Sequence, residues 1–440
     1  MVKKYKNSIY NLLVEKNEDG ALLYNSHSGA LFMIDNITEK FLTAIGDNRE
    51  PEKFVHFNSL LENGYIVDEN VDEAGFFKAK ENHLLYSMYS STIHYVICPT
   101  MSCNYSCLYC YEHENGKKHP VEVMSKEVIE KLIKFVKNQV EGLETIKDIK
   151  VTWFGGEPLL GINVMEEISR NLISYAKGKN IGYRSSIITN GFLFDENISK
   201  MCSEKLKITM AQITIDGAGA VYKEYKGSPD KAYDRVLENI INASKYMKVN
   251  VRFNVDKNNY NSVMGVVEYM LKEKIINEKI RLYLAPIKVT NNNVLSKYVF
   301  DDKEFYDANV RFWEMLLKNK YYRFIENEMP QMKYISCGAL SRNNYIIDSS
   351  GCLYKCERTL GEHKYSVGNV EEGLFYNEQS FVFGEYKISA KCKKCSIYPV
   401  CRGGCRKDCI DGRFVDCESK IKEIKTLLKY KYRLISGGLS

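Results

Sequence analysis

From Ile93 to about Ile287 the chain switches repeatedly between two hydrophobic rhythms. Short runs rich in Val, Ile, Thr and Tyr recur at His94–Cys98, Lys150–Phe154, Ser185–Thr189, Gln212–Ile215, Asn250–Val255 and Arg281–Pro286. Between them apolar residues return every three or four positions, as in Lys126–Val140, Val164–Ala176 and Ala232–Met247. The first rhythm predicts buried strands, and the second predicts helices with one apolar face. Six such alternations predict a parallel sheet with right-handed crossovers, since each helix must fold back over the sheet to reach the next strand. In a closed or partial barrel of this kind, the carboxyl ends of the strands carry the chemistry.

The first hundred residues follow another pattern. Ile9–Glu15 and Ala21–Tyr24 read as strands around the turn Asn17-Glu18-Asp19-Gly20, and Ala30–Ile34 reads as a third. Asp35 or Asn36 is placed to cap a helix bearing Ile37, Phe41, Leu42 and Ile45, ending at Gly46. Phe54, Phe57, Leu60 and Leu61 suggest a second helix, stopped by Asn63-Gly64 before the strand-like Tyr65-Ile66-Val67. Residues 1–70 therefore read as a small winged-helix-like module, and 71–92 as a polar linker with one helical stretch. After the parallel sheet (93–290), a helical bridge is expected over 291–335, with Asp301-Asp302 as a cap for a helix through Leu317. A cysteine-rich domain is expected over 336–420, and a helix and tail over 421–440.

Composition narrows the function classes. A hydrophobic content of 45% over 440 residues supports real cores and more than one domain. No apolar run approaches membrane-spanning length and the start, Met1-Val-Lys-Lys-Tyr-Lys, lacks a signal-peptide core, so a cytoplasmic location is expected. In that compartment fourteen cysteines point to metal rather than disulfides. The net charge is +6, but residues 1–95 carry nine Lys and Arg against fourteen Asp and Glu, a balance of −5. An acidic N-terminal segment argues against nucleic-acid binding there.

Cys103, Cys107 and Cys110 follow the first predicted barrel strand at the spacing C-x3-C-x2-C. Three thiolates this close can ligate three irons of a [4Fe–4S] cube and leave the fourth open to a small molecule. The competing readings are a zinc site lacking one ligand, for which His113 is poorly spaced, or three ordinary buried thiols. The spacing, with Tyr109 before the last Cys, resembles the radical S-adenosylmethionine (radical SAM) superfamily. In that superfamily the open iron chelates SAM, and reductive cleavage yields a 5′-deoxyadenosyl radical that abstracts hydrogen from substrate.

Further motifs fall at the predicted strand ends. Gly155-Gly156-Glu157-Pro158 matches the superfamily's GGEP element: the glycines admit close backbone approach to the ligand, and the carboxylate can pair with the SAM ammonium. By the same resemblance Asn190, Thr214 and Tyr109 are expected around SAM. Lys226 stands where relatives often have Arg and could neutralise the SAM carboxylate, without a bidentate fork. Arg252 is a further carboxylate-binding candidate, with an outward-facing surface Arg as the bland alternative.

Nine more cysteines lie beyond residue 336. Cys337, Gly351 and Cys356 are spaced C-x13-G-x4-C, and Cys392, Cys395, Cys401 and Cys405 are spaced C-x2-C-x5-C-x3-C, followed by Cys417. C-x2-C pairs alone also suit a zinc ribbon. The whole order, with Gly403-Gly404, resembles the SPASM domain of peptide-modifying radical SAM enzymes. That resemblance implies two auxiliary [4Fe–4S] clusters, three clusters in all. Cys392, Cys395, Cys401 and Cys417 would hold one, and Cys337, Cys356 and Cys405 the other. Cys352 or Cys409 could complete the latter, or an iron could stay open for a substrate thiolate. Cys98 and Cys202 read as buried structural thiols.

Together the resemblances imply an α/β enzyme: a partial (β/α)6 TIM barrel with an N-terminal leader-recognition-like module and a C-terminal SPASM domain. The implied substrate is a ribosomally synthesised precursor peptide, whose leader would add a strand to an exposed sheet edge of the N-terminal module. The expected product is a crosslink, foremost a Cys thioether. Other crosslinks, formylglycine formation on a sulfatase, and a non-catalytic iron–sulfur protein are the alternatives. An electron donor such as flavodoxin or ferredoxin is expected; nucleic acid and membrane are not.

Overall fold

The two hydrophobic rhythms become two kinds of packing in a computed structural model that describes residues 3–48, 50–86, 91–110, 123–288, 295–375, 377–383 and 389–438. His113 and the run Asn291–Asn293 lie outside the described residues. The chain divides into two units: residues 1–87, 302–337 and 385–440 form one, and 88–301 with 338–384 form the other. The boundaries expected along the sequence therefore cut across both units.

In the first unit, β1 (Tyr5–Asn7) pairs antiparallel with β5 (Ile66–Asp68), while β2 (Asn11–Lys16), β3 (Gly20–Asn25) and β4 (Leu31–Asp35) form an antiparallel sheet in that order. Asp35 caps α1 (Asn36–Ala44), accepting from the Thr38 amide at 2.7 Å, and α2 (Phe57–Glu62) follows. Every residue of β3 is buried, because its alternating side chains meet two different cores. Ala21 and Leu23 pack with Leu42, Phe57 and Leu60 of α1 and α2. Leu22 and Tyr24, with Leu12 and Val14, pack against Ile397, Ile424 and Leu428 from the far end of the chain. The expected 71–92 linker is mostly α3 (Glu73–Tyr86), a helix with Phe77 and Glu81 buried. This is the helical stretch expected there; its packing was not legible, because the buried face of Phe77, Glu81 and Leu85 has a carboxylate at its centre.

The second unit is built on a sheet of ten described strands. Six parallel ones follow the chain: β6 (Thr92–Ile97), β7 (Asp148–Trp153), β8 (Gly182–Thr189), β9 (Ile208–Thr214), β10 (Lys248–Val255) and β11 (Ile280–Pro286). The connecting helices are α4 (Lys126–Glu141), α5 (Ile162–Lys179), α6 (Glu196–Leu206), α7 (Gly219–Lys226), α8 (Ala232–Tyr246) and α9 (Tyr260–Lys272). Helix α4 shows why they form: Ser125 caps it, and Ile129, Leu132, Val136 and Val140 recur on one buried face. After α10 (Asp302–Lys318) and α11 (Arg323–Glu328) of the first unit, the chain returns to this sheet. There β12 (Asn344–Ile347) pairs parallel with β6, and β13 (Cys352–Tyr354), β14 (Gly368–Asn369) and β15 (Gly373–Leu374) extend the edge antiparallel. The expected 336–420 domain is thus divided: its strands lengthen the parallel sheet, and its later cysteines join the first unit. The last helix, α12 (Cys417–Ile435), packs on β2 and α10. No helix among the described residues is long and apolar enough to cross a membrane.

The burial of Phe77 beside its exposed neighbour Phe76 separates a packed helix from a linker. Phe77→Ala is expected to destabilise the chain by about 3–5 kcal/mol. Phe76→Ala should stay within about 0.5 kcal/mol, both read by chemical denaturation.

Candidate active site at the strand ends

The cysteine loop leaves the end of β6 and is anchored from two sides. On one side, Gly155 and Gly156 follow β7 and lie directly under the loop. A Cβ on Gly155 would sit 2.3 Å from the Thr100 carbonyl oxygen, and one on Gly156 would sit 2.2 Å from that of Ser102. The structure thus gives the glycines a different task from the expected one: they seat the backbone of the cysteine loop. The Gly156 and Glu157 amides donate to the Thr100 and Ser102 carbonyls at 3.3 and 2.8 Å. On the other side, the Ser106 and Leu108 amides donate to the carbonyls of Lys226 and Tyr225, each at 3.0 Å. Gly227, at φ 53°, leaves room for Ser106, whose Oγ would lie 2.1 Å from a Cβ.

Glu157 is fully buried. Its Oε1 accepts from the Thr189 hydroxyl at 2.7 Å and the Leu159 amide at 3.2 Å, and its Oε2 from the Asn190 amide at 2.8 Å. Burial pushes its carboxyl up to about 7, against the pull of these donors and of the Lys226 charge. Pro158 opens the buried turn beyond it. Asn190 continues the chain of contacts: its Nδ2 donates to Asn104 Oδ1 at 2.7 Å and faces Cys103 Sγ at 3.9 Å. The expected residues of the GGEP element, the β8 end and the cysteine loop are therefore one hydrogen-bonded assembly.

A second assembly lies at the ends of β9 and β10. Lys226, almost wholly buried, donates to Thr214 Oγ1 at 2.6 Å, to Asp216 Oδ2 at 2.9 Å and to the Tyr109 hydroxyl at 2.9 Å. Tyr109 in turn donates to Asp216 and accepts from Asn254 Nδ2 at 3.0 Å. An ammonium has three hydrogens, and all three are engaged by protein. Burial alone would push the Lys226 ammonium down, but Asp216 and the thiols of Cys107 and Cys103 hold it above the usual lysine range. Lys226 is thus the partner of an internal carboxylate, a role the sequence did not suggest. Asp216 and Asn254 were missed as site residues, because only the pairing of β9 with β10 sets them beside Tyr109. Arg252 shares a strand face with Asn254 and donates to its Oδ1 at 2.8 Å, which excludes the outward-facing reading. Glu357, whose carboxyl burial pushes up, feels the Arg252 charge.

The thiols of Cys103, Cys107 and Cys110 are half-buried. Cys103 Sγ accepts from the Tyr105 amide at 3.4 Å. Burial raises the Cys107 thiol and the Lys226 charge opposes that rise. Soft sulfur donors with N–H groups around them and one cation nearby suit an iron–sulfur cluster. Among the described residues no Cys, His, Asp or Glu trio converges on a point suited to a single metal ion. A cube several atoms wide holds its thiolates farther apart than one zinc does.

In the first unit, burial raises the Cys392 and Cys401 thiols, and the nearby sulfurs of Cys395 and Cys417 raise both further, with Cys409 adding to the rise at Cys392. Cys337, Cys401 and Cys405 line a cavity of about 510 Å³. Cys356 belongs to the second unit. Cys352 is engaged at the start of β13, with Ser350 Oγ at 3.4 Å and His363 Nδ1 at 3.7 Å. Cys409 is buried and donates to the Gly403 carbonyl at 3.4 Å. Cys98 and Cys202 are buried, as expected of structural thiols.

Two outcomes follow. Gly156→Ala should displace the cysteine loop and lower iron retained at Cys103, Cys107 and Cys110, whereas Gly178→Ala, with open space around it, should not; iron per chain after anaerobic reconstitution measures both. Folded Glu157 holds its proton to about pH 7, whereas an ordinary glutamate loses it near 4.5. The folded state therefore binds the extra proton between those values, and stability of the metal-free chain should fall by up to about 3 kcal/mol as pH rises through that window. Glu157→Gln should flatten this part of a denaturation series against pH.

A sequence signature of the Radical SAM superfamily matches residues 97–270. The chain is 23% identical over 335 residues to a cysteine-type anaerobic sulfatase-maturating enzyme of Clostridium novyi, covering 70% of this chain and 86% of the relative. It is 24% identical over 464 residues to the radical SAM cyclopropyl synthase TigE of Paramaledivibacter caminithermalis, covering 92% and 89%. Among solved structures, the maturating enzyme anSMEcpe with bound AdoMet and peptide superposes with a TM-score of 0.59 at 22% identity, over 78% of this chain and 98% of that one. Streptococcus suis SuiB bound to its precursor peptide SuiA superposes with a TM-score of 0.53 at 16% identity, over 94% and 99%. Cysteine loop, strand-end assembly and sequence signature agree: the chain carries a radical SAM domain of that superfamily, whose cofactors are a [4Fe–4S] cluster and S-adenosylmethionine.

Proposed function

We propose that this radical SAM enzyme acts on a ribosomally synthesised precursor peptide and joins a Cys sulfur of that peptide to one of its carbons. The observation that carries the peptide reading is the N-terminal sheet. Among the described residues strand β4 has one strand neighbour, and it exposes Phe32 and Met33, the arrangement that strand addition by an extended peptide requires. The likenesses that span more than nine-tenths of this chain are to TigE and to SuiB, and SuiB was solved with its precursor peptide. This supports reading residues 1–70 as a winged-helix-like leader-recognition module.

Cys103, Cys107 and Cys110 would hold the [4Fe–4S] cluster, with SAM beside the strand ends. When bound, the two supply reductive hydrogen abstraction from an unactivated carbon. The chain's own residues do the rest. Glu157 holds the β7 and β8 ends to the cysteine loop and keeps one acceptor position for a ligand ammonium. Tyr109, Thr214 and Asn254 present hydroxyl and amide groups fixed by Lys226 and Asp216. Arg252 offers a guanidinium to an anionic group. The auxiliary clusters are proposed at Cys392, Cys395, Cys401 and Cys417, and at Cys337, Cys356 and Cys405. Cys352, Cys409 or a substrate sulfur would complete the three-thiol set, and the last of these is the one a thioether requires. Flavodoxin or ferredoxin would supply electrons.

A second reading, formylglycine formation, rests on the sulfatase-maturating relatives, which leave about a third of this chain unmatched. A Cys-containing precursor peptide encoded beside the enzyme separates the two when incubated anaerobically with reconstituted protein, reductant and SAM. The thioether reading expects loss of two hydrogen atoms and of one alkylatable thiol, with 5′-deoxyadenosine formed. An aldehyde that captures hydrazine would establish the second reading instead. The chain with Cys103, Cys107 and Cys110 all changed to Ala should give neither product.

A further inference from the structure

Within the first unit, one buried ion pair joins residues 321 positions apart. Arg402 Nη2 donates to Glu81 Oε1, with both side chains essentially without solvent contact. Arg406 approaches the same oxygen at 3.9 Å, and Lys78 reaches Oε2 at 3.0 Å. The Arg402 guanidinium also lies against two rings, 4.8 Å from the Phe77 centroid and 4.4 Å from that of Tyr398, and the rings meet each other edge-to-face at 5.6 Å. Packed against two rings and bonded at one edge, it is held on several sides.

Its place in the chain makes this more than packing. Arg402 stands between Cys401 and Cys405, and Arg402, Gly403 and Gly404 hold φ of 57°, 76° and 86°. Gly403 and Gly404 adopt such angles freely, but Arg402 does so against its own backbone preference. The loop keeps its shape because its side chain is fixed from outside, by α3. That helix is itself anchored eight residues earlier, where Glu73 accepts from Ser8 Oγ at 2.5 Å and the Ile9 amide at 3.0 Å, ahead of β2. Cys392 and Cys395 pack on the same aromatic cluster of Tyr10, Phe77 and Tyr398.

We propose that α3 is a positioning strut, with Glu81 acting through Arg402 to hold the Cys401–Cys405 loop in the shape that retains an auxiliary iron–sulfur cluster. The N-terminal module is then part of the auxiliary-cluster scaffold as well as a candidate peptide reader. This rests on reading Cys392, Cys395, Cys401 and Cys417 as cluster ligands.

The test uses full-length protein, wild type beside Glu81→Gln and Arg402→Lys, each reconstituted anaerobically with iron and sulfide. Iron per chain, loss of the visible charge-transfer band under a chelator, and the SAM-responsive electron paramagnetic signal of the Cys103 set are measured. Glu81→Gln is expected to lose about four irons, or to shed an auxiliary cluster at least about 10-fold faster, while the SAM-responsive signal persists. That persistence marks a folded second unit, so a general collapse is recognised. Should Glu81→Gln not fold, Arg402→Lys, which keeps the charge but not the fork, should show the same selective loss in weaker form. Wild-type iron content and chelator resistance in the folded variants would overturn the strut. A wild-type chain holding only about four irons would overturn the cluster reading, and the strut with it.

Discussion

The mouth of the parallel sheet is organised around the carboxylate of Glu157, buried among donors from two segments. Thr189 and Asn190 reach it from the β8 end, Leu159 from the turn after β7, and its own backbone donates to the cysteine loop. A buried carboxylate tolerates so little water only when its lone pairs are met, and each group that meets them fixes a strand end. The positions of Cys103 and Asn104 are downstream of this arrangement through Asn190. The Lys226–Asp216–Tyr109 assembly performs the equivalent task on the opposite side of the loop. Between the two, eight residues bearing three thiols are held with no regular secondary structure of their own.

These two assemblies differ in what they ask of a ligand. Glu157 still has an acceptor position, so an ammonium can join without displacing a protein donor. Lys226 has no hydrogen to spare, so an anion that takes one must first draw it from Thr214, Asp216 or Tyr109. Removing an ion partner inside a protein is costly, which makes Arg252, bonded to Asn254 through Nε, the more available cation.

Most of the parallel sheet was legible because parallel strands are buried on both faces and read as dense apolar runs. All six predicted runs are strands of the observed sheet, and Asp35 is the cap that its position before an apolar-periodic stretch implied. The three thiols, the GGEP element and Asn190 were legible as a group because spacing and strand ends coincide. Asp216 and Asn254 were not, since their significance depends on register between β9 and β10. Helix α3 was legible as a helical stretch but not as a packed one, for a related reason: its buried carboxylate finds its partner 321 residues away, and no local pattern announces that. The division of the cysteine-rich segment between two units is likewise a matter of which sheet accepts β12, which four residues of sequence cannot declare.

The two-sided burial of β3 has a consequence for synthesis. One of its faces can be covered by α1 and α2 as soon as they emerge, but the other waits for Ile397, Ile424 and Leu428. A ribosome adding about 5–20 residues per second exposes that face for tens of seconds while the parallel sheet is still being made. Nascent chains of this protein therefore carry an uncovered apolar sheet face for most of their elongation, a binding site for a chaperone that the finished molecule no longer has.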